Sequence, residues 1–150
     1  MSHSYHTALF HCIFSTKGRT KIISPALQER LHPYLAGVAK ENGMIPLAVG
    51  GVEDHIHLLL SLPSTLSVAK AMQVIKSGSS KWVHDTFPER RTFAWQEGYG
   101  AFSIGISQVE RTVNYIHRQV EHHRVTTFQE EFLEFLQRHG AEYDERYIWG

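Results

Sequence analysis

Two histidines in one short apolar stretch are the residues whose spacing most directly suggests chemistry. His55 and His57 lie in the run from Val52 to Leu60, which follows two glycines and ends shortly before Pro63. In a β-strand, residues two positions apart point to the same face, so both imidazoles project to one side. Imidazole is a common metal ligand, and this pair therefore supplies half of a metal site.

A second segment offers an oxygen ligand and a nucleophile. Tyr115 and Gln119 are spaced by one helical turn, so we expect the phenol and the amide on neighbouring positions of one helix. A phenol so placed can attack phosphorus while a cation polarises the phosphoryl oxygen, and the amide oxygen can complete the coordination sphere. Because tyrosine ordinarily titrates at about pH 10, the cation or a base has to help remove its proton.

Each of these signals also has an ordinary structural explanation. A His-x-His strand is more often structural or exposed than metal-binding, and a helical tyrosine more often packs or lies at the surface. A zinc hydrolase is disfavoured, because no further His or Asp directly follows His57 and the chain has no His-Glu-x-x-His motif. A metal-dependent hydrolase of small phosphoesters stays open as a weaker alternative.

The composition predicts one soluble domain over residues 1–150. The chain is 42% hydrophobic and 20% charged, and Lys plus Arg equals Asp plus Glu at 15 each, so only a local basic patch could indicate nucleic acid. The single cysteine, Cys12, excludes an internal disulfide and a cysteine-rich zinc site. Without a signal pattern or an apolar run near the roughly 18 residues of a membrane span, we expect a cytoplasmic protein with no membrane partner.

The order of secondary-structure elements predicts an α+β fold. Strands are expected over 5–16, 45–49, 52–60 and, bent or divided in two, 93–104. One helix is expected from Pro25 up to a stop at Asn42-Gly43, and a second over 65–84. The short link between the second and third strands favours an antiparallel hairpin. This β-α-β-β-α-β order is the ferredoxin-like arrangement, with an antiparallel sheet and added C-terminal helices.

Two capping boxes predict where the C-terminal helices begin. Ser107 and Glu110 predict a helix from residue 108, whose polar side gathers Arg111, Tyr115, Arg118 and His122. Thr127 and Glu130 predict the next helix, which ends at Gly140 and has an apolar face made of Phe128, Phe132, Phe135 and Leu136. We expect this last helix to close over an apolar surface, with the aromatic tail 143–149 docked as well.

These motifs stand in the order of a known family. The chain resembles the single-tyrosine transposases of the HUH nuclease superfamily, the insertion-sequence-200-like group and its relatives that act at repetitive extragenic palindromes. HUH denotes His, a bulky apolar residue and His, here His55-Ile56-His57, and the family's Tyr-x-x-x-Gln helix is similar to the segment from Tyr115 to Gln119. The similarity covers nearly the whole chain. HUH alone is a weak motif, whereas this order of motifs is specific.

The resemblance implies a transposase that cuts and rejoins single-stranded DNA marked by a hairpin. It implies that Mg²⁺ or Mn²⁺ is held by His55, His57 and Gln119. Tyr115 would attack a backbone phosphate, form a 5′-phosphotyrosine bond and release a 3′-hydroxyl, which later attacks a phosphotyrosine to rejoin strands. The family also implies a homodimer in which each active site combines the histidine pair of one subunit with the tyrosine helix of the other.

The implied DNA contacts fall on the basic residues Lys17, Arg19, Lys76 and Lys81, any of which could equally be an ordinary solvated side chain. Because a net charge of zero is low for a DNA-handling enzyme, either the basic residues are concentrated on one face or binding depends on hairpin shape. Gln119 could instead serve only to position Tyr115, since an amide is a poor ligand. The alternative function is a domesticated relative that grips hairpin DNA or RNA without cutting it.

Overall fold

A four-stranded antiparallel sheet lies at the centre of the computed structural model, which describes residues 4–150. Its strands are β1 (Leu9–Ser15), β2 (Ile45–Val52), β3 (His55–Ser61) and β4 (Gly100–Ile104). They are arranged in the order β2-β3-β1-β4, with every neighbouring pair antiparallel. The predicted α+β class and the β-α-β-β-α-β core are therefore confirmed.

The helices are α1 (Pro25–Glu41), α2 (Val68–Thr86), α3 (Val109–His117), α4 (Gln119–His122) and α5 (Phe128–Arg138). The α1 helix begins as predicted, because Ser24 Oγ accepts a hydrogen bond from the Leu27 N–H. The predicted capping box opens α5: Thr127 Oγ1 accepts from the Glu130 N–H, and the Glu130 carboxylate accepts from the Thr127 N–H. Within residues 4–150, no helix combines the length and the apolar character needed to cross a bilayer.

Several strand boundaries differ from the predictions. The first strand begins at Leu9, opposite Ser61, where β3 also ends. The predicted stretch before Gly100 contributes only one bridge, between Thr16 and Trp95. The ladder is interrupted there because the side-chain Oε1 of Gln96 accepts the Ser15 N–H at 2.8 Å.

The predicted capping box at Ser107 is wrong. A 3-10 turn over Ile106–Gln108 precedes α3, and the Gln108 side chain accepts the Gly105 N–H at 2.8 Å. The prediction that a single helix carries both Tyr115 and Gln119 is also wrong. The N–H of Arg118 is shared between two carbonyls of the preceding turn, which tightens and ends α3, so Gln119 opens the separate helix α4.

Side chains alternate along β1 and β3, so the sheet has two different faces. The α1/α2 face is covered by those two helices and is apolar; its strand residues include Phe14, Ile56, Leu58 and Leu60. The opposite face lies beneath α3 and α5 and carries the buried residues His11, His55 and His57. We call it the histidine face.

A glycine in β2 allows α3 to approach the histidine face closely. A Cβ atom on Gly50 would lie 2.4 Å from the backbone oxygen of Ile116, closer than any side chain tolerates. Gly50 lies opposite His57 in the β2–β3 ladder. The glycine therefore allows α3 to carry Tyr115, the neighbour of Ile116, to the vicinity of His57.

The C-terminal tail docks through one aromatic residue rather than several. The Trp149 ring lies 6.4 Å from that of Phe128 and 6.1 Å from that of Phe132, measured between centroids. Tyr143 and Tyr147 remain 38% and 72% exposed. The predicted docking of the tail thus holds for Trp149 but not for these tyrosines.

Candidate metal and nucleophile site

His55 and His57 are fully buried on the histidine face, and each has one ring nitrogen already engaged. His55 Nδ1 lies 2.7 Å from Asp54 Oδ1, and His57 Nδ1 lies 2.7 Å from His11 Nε2. Partners of this kind fix the orientation of an imidazole and leave its other nitrogen for a ligand. The two Nε2 atoms converge on one point beneath α5.

That point is occupied by the carboxylate of Glu131, which is 1% exposed. Its Oε1 lies 3.0 Å from His57 Nε2, 3.3 Å from His55 Nε2 and 3.2 Å from His123 Nε2. Burial by itself would raise the pKa of this carboxyl, but its electrostatic interaction with His57 and hydrogen bonds from the surrounding imidazoles hold the pKa well below its usual range. Glu131 is therefore ionised.

Four side chains of the cluster fit a divalent cation. His55, His57, His123 and Glu131 each offer one ligand atom, all within 4.8 Å of one another. Neighbouring ligands at about 2.1 Å from one ion lie about 3 Å apart, which is the spacing of Oε1 from the three nitrogens. Within residues 4–150, His123 Nε2 is one of a few buried side-chain atoms without a hydrogen-bond partner, a costly position unless a cation binds there. The cluster could therefore hold a metal ion.

The two strand histidines differ in their protonation. Burial lowers the pKa of His57 to about 4, so its imidazole is neutral and can offer a lone pair. Burial also acts to lower the pKa of His55, but hydrogen bonds to Asp54 and Glu131 outweigh it and raise the pKa to about 9. Because a metal ligand must be deprotonated, binding of a cation to His55 has to release a proton.

Tyr115 reaches the same cluster from α3. Its hydroxyl donates a hydrogen bond to Glu131 Oε2 and lies 3.1 Å from His122 Nε2. Its ring centroid is 5.7 Å from that of His57 in the same chain. Burial and the negative charge of Glu131 raise the pKa of Tyr115 well above its usual value. The phenol is thus protonated and needs a cation or a base before it can attack.

Gln119 is buried between the tyrosine and the histidines. Its Oε1 lies 3.2 Å from His55 Nε2, and its amide nitrogen donates to the backbone oxygen of Tyr115 at 3.3 Å. The structure therefore brings together the predicted nucleophile and the predicted ligands, although from two helices rather than one. This geometry accommodates both predicted roles of Gln119, as a ligand and as a group that positions Tyr115.

Three of the four basic residues predicted to contact DNA have partners within the chain. Arg19 donates to the backbone oxygen of Trp149 at 3.3 Å, and Lys81 pairs with Asp85 at 2.8 Å. Lys76 donates to two backbone oxygens at 3.0 and 2.8 Å, and burial lowers its pKa to about 8. Lys17 is exposed in a short turn. Their contact with DNA stays a prediction.

An open cavity of about 770 Å³ lies beside Tyr115. Its lining includes Arg111, Arg118 and His122, which are the residues predicted to share the polar side of the tyrosine helix. This part of the prediction is confirmed even though the helix is broken at Arg118. Helical spacing alone placed the two arginines beside the tyrosine, but it gave no reason to select them as DNA contacts.

Sequence reasoning missed three members of the cluster, namely His11, His123 and Glu131. Glu131 had a readable signal, because it follows Phe128 by three positions and falls on the apolar face of α5 between Phe128 and Phe132. A lone acidic residue in such a stripe needs a buried partner. The α5 helix therefore covers an apolar surface, as predicted, and also places the carboxylate of Glu131 among the histidines.

Comparisons with known sequences identify the family to which the chain is similar. A family model described as "Transposase IS200 like" matches residues 4–119. The chain is 23% identical over 86 residues to the ISDra2 transposase TnpA of Deinococcus radiodurans, a stretch that covers 57% of this chain and 61% of that protein. It is 24% identical over 126 residues to the transposase for insertion sequence element IS200 of Salmonella typhimurium, covering 81% and 82% of the two chains.

Solved structures share the fold. A structure from Deinococcus radiodurans R1 described as a transposase superposes with a TM-score of 0.66 at 19% identity, covering 78% of this chain and 96% of the other. A REP-associated tyrosine transposase bound to a REP hairpin superposes with a TM-score of 0.60 at 14% identity, covering 82% and 74%. The family model spans most of the chain and includes the residues of the His pair, Tyr115 and Gln119, and this protein therefore belongs to the family of IS200-like transposases.

Proposed function

We propose that this transposase cleaves and rejoins single-stranded DNA through a 5′-phosphotyrosine on Tyr115. The observation that carries the proposal is that the Tyr115 hydroxyl and the Nε2 atom of His57 both contact the carboxylate of Glu131. The match to the IS200-like family supports the same assignment. A nucleophile and metal ligands within one buried cluster are what phosphoryl transfer to a protein side chain requires.

In the cleavage step, Tyr115 Oη forms a bond to a backbone phosphorus as the bond from that phosphorus to the 3′ oxygen breaks. The phenol loses its proton to solvent, and the departing 3′ oxygen takes up a proton from solvent. The 5′ end stays attached to Tyr115. In rejoining, a 3′-hydroxyl attacks the phosphotyrosine and the phenol leaves, so no external energy source is needed.

We assign Mg²⁺ or Mn²⁺ to His55, His57 and Gln119, where the ion would polarise the phosphoryl oxygen. The chain's own contribution is orientation. Asp54 and His11 hold the two imidazoles in place, and the break after α3 turns the Gln119 amide inward. Phe128 and Phe135 of α5 pack against the imidazoles of His55 and His57.

The proposed substrate is single-stranded DNA with a hairpin. One structural relative is described as bound to a REP hairpin, which supports this choice. Arg111 and Arg118 line the cavity beside Tyr115, so a phosphate that reached the tyrosine would lie among guanidinium groups. Lys17, Arg19, Lys76 and Lys81 would then hold more distant parts of the strand. We place this activity in the cytoplasm, where the buried thiol of Cys12 stays reduced.

We also propose a homodimer with active sites shared between subunits. In the single chain Tyr115 already lies beside its own His57, so sharing requires the α3–α4 segments of two subunits to exchange. Mixed dimers of His57→Ala and Tyr115→Phe chains test this. If sites are shared, one of the two sites in the mixed dimer combines an intact His57 with an intact Tyr115, and the covalent adduct is restored. If each site lies within one chain, both sites lack one of these residues and no adduct forms.

The decisive test of the proposed function is the adduct assay on a hairpin oligonucleotide with Mn²⁺ or Mg²⁺. Tyr115→Phe should abolish the band that survives denaturation while leaving the native gel shift intact. Tyr147→Phe, which changes an exposed tyrosine, is the matched control and should form the adduct normally. An adduct that survives in Tyr115→Phe would overturn the assignment.

The second candidate function is hairpin binding without cleavage. The observation in its favour is the hydrogen bond from Tyr115 to Glu131, which keeps the phenol protonated. A pure binder would shift the oligonucleotide in a native gel and give no denaturation-resistant band with either metal.

A further inference from the structure

Glu131 lies on the apolar face of α5, beyond residues 4–119, which the family model matches. It is almost completely buried, and a buried carboxylate destabilises a fold unless charges or hydrogen bonds compensate it. The segment that follows the matched residues therefore inserts a negative charge directly into the histidine cluster.

The two carboxylate oxygens of Glu131 face different groups. Oε1 faces the Nε2 atoms of His55, His57 and His123 at 3.0 to 3.3 Å. Oε2 accepts a hydrogen bond from Tyr115 and lies 3.3 Å from His122 Nε2. One side chain thus connects the potential metal ligands to the proposed nucleophile.

Hydrogen bonding alone does not satisfy the imidazole of His123 when it is neutral. Its Nδ1 lies 2.5 Å from the backbone oxygen of Thr126, which is an acceptor, so Nδ1 carries the proton and Nε2 presents a lone pair. This Nε2 is buried without a hydrogen-bond partner and faces Glu131 Oε1 at 3.2 Å. A cation bound between the lone pair and the carboxylate oxygen removes their repulsion.

We propose that Glu131 Oε1 and His123 Nε2 are ligands of the catalytic cation in addition to His55, His57 and Gln119, and that Glu131 Oε2 positions the Tyr115 hydroxyl. One divalent ion supplies the positive charge that these ligand atoms need. The ligand role of Glu131 is supported by the geometry of the cluster alone. Its positioning role rests on the proposed function, in which Tyr115 is the nucleophile. In the structure of the single chain, the four clustered ligand atoms of His55, His57, His123 and Glu131 all belong to that chain.

Binding of Mn²⁺ to the full-length protein, measured by isothermal titration calorimetry without DNA, tests the ligand role. Mn²⁺ is a suitable probe because it accepts both carboxylate and imidazole ligands. Glu131→Gln keeps the shape of the side chain and removes its charge, and it should weaken Mn²⁺ binding by at least about tenfold. Glu134→Gln, an exposed position on the same helix, should bind within twofold of the unmodified chain.

Unchanged Mn²⁺ affinity in a folded Glu131→Gln protein would overturn the proposal, as would an unmodified chain that fails to bind Mn²⁺. If circular dichroism shows that Glu131→Gln does not fold, His123→Ala takes its place, with the exposed His117→Ala as its control. His123→Ala must also weaken Mn²⁺ binding by at least about tenfold, and full affinity there contradicts the ligand set.

Tyr115→Phe separates this proposal from the proposed function. It should bind Mn²⁺ like the unmodified chain, because the phenol is not one of the proposed ligands. An unmodified protein that binds Mn²⁺ through Glu131 but forms no adduct would overturn the proposed function and leave the ligand role standing.

Discussion

The two faces of the sheet differ in what they bury, although the same strands build both. On the α1/α2 face, β3 contributes Ile56, Leu58 and Leu60, all completely buried in an apolar core. On the histidine face, the alternate residues His55 and His57 are equally buried but hold polar partners. One strand thus supplies stability on one side and chemistry on the other, because its side chains alternate.

The difference also shows how a buried polar cluster is tolerated. Each imidazole of the strand pair has a partner on both ring nitrogens, and the carboxylate of Glu131 has partners on both oxygens. A fully connected network of this kind avoids the penalty of isolated buried polar atoms. The apolar face carries no such requirement and relies on close packing alone.

The largest effect on folding is expected on the α1/α2 face. Leu58→Ala should lower the free energy of unfolding by about 2–5 kcal/mol, because it leaves a cavity in a completely buried position. Urea denaturation measures this loss. The Mn²⁺ affinity of the folded protein should stay near that of the unmodified chain, and a large loss of affinity would show that the two faces are not independent.

The reverse pattern is expected for the neighbouring residue on the histidine face. His57→Ala should weaken Mn²⁺ binding at least about tenfold and abolish the adduct, whereas Leu58→Ala should leave the Mn²⁺ affinity nearly unchanged. Calorimetry on the two variants gives this comparison directly. An adduct formed at the normal rate by His57→Ala would contradict the role of the histidine face.

Substitution of a glycine on the histidine face is expected to have a smaller effect on stability and activity than the changes at Leu58 and His57. Gly50→Ala places a methyl group 2.4 Å from the Ile116 backbone oxygen and should destabilise the fold by about 1–3 kcal/mol. It should slow adduct formation more than it weakens Mn²⁺ binding, because it displaces the tyrosine helix and leaves β3 in place. Single-turnover kinetics measure the first effect.

Gly78→Ala is the control for that experiment. It lies within α2, where the new methyl group meets only Val38 side-chain atoms at 3.7 Å or more. Helix propensity predicts that this change stabilises the protein by roughly 0.5–1 kcal/mol without altering the adduct rate. An equal loss of adduct rate in both glycine variants would contradict the specific role of the α3 approach.

The smallest effect is expected for DNA contacts. Arg118→Ala, in the cavity beside Tyr115, should weaken hairpin binding a few-fold and reduce its salt dependence by about one counterion. Lys81→Ala, on α2 and paired with Asp85, should have a smaller effect if the DNA follows the histidine face. A larger effect at Lys81 would place the DNA along α2 instead.

Local patterns in the sequence were sufficient for much of the fold. Period-two spacing placed His55 and His57 on one face of β3, and the capping residues Ser24 and Thr127 marked the starts of two helices. These signals depend only on residues close in sequence, which is why they could be read from the chain alone.

What could not be predicted depends on contacts distant in sequence. The Gln96 side chain interrupts the β4 ladder because it accepts the backbone N–H of Ser15 in place of a backbone oxygen. No rule based on neighbouring residues in the sequence predicts this side-chain hydrogen bond. The carboxylate of Glu131 meets His57 only after α5 folds over the sheet. The break after α3 likewise has no Pro or Gly to mark it, since His117, Arg118 and Gln119 all suit a helix.

The most direct test of Tyr115 as the nucleophile is to identify the residue to which the DNA becomes attached. The unmodified protein is incubated with a hairpin-containing single strand and Mn²⁺, and the covalent product is digested with protease and nuclease and analysed by mass spectrometry. The proposed cleavage mechanism predicts a nucleotide joined through its 5′ phosphate to Tyr115. Attachment at any other residue, or cleavage of the strand without attachment, would contradict it.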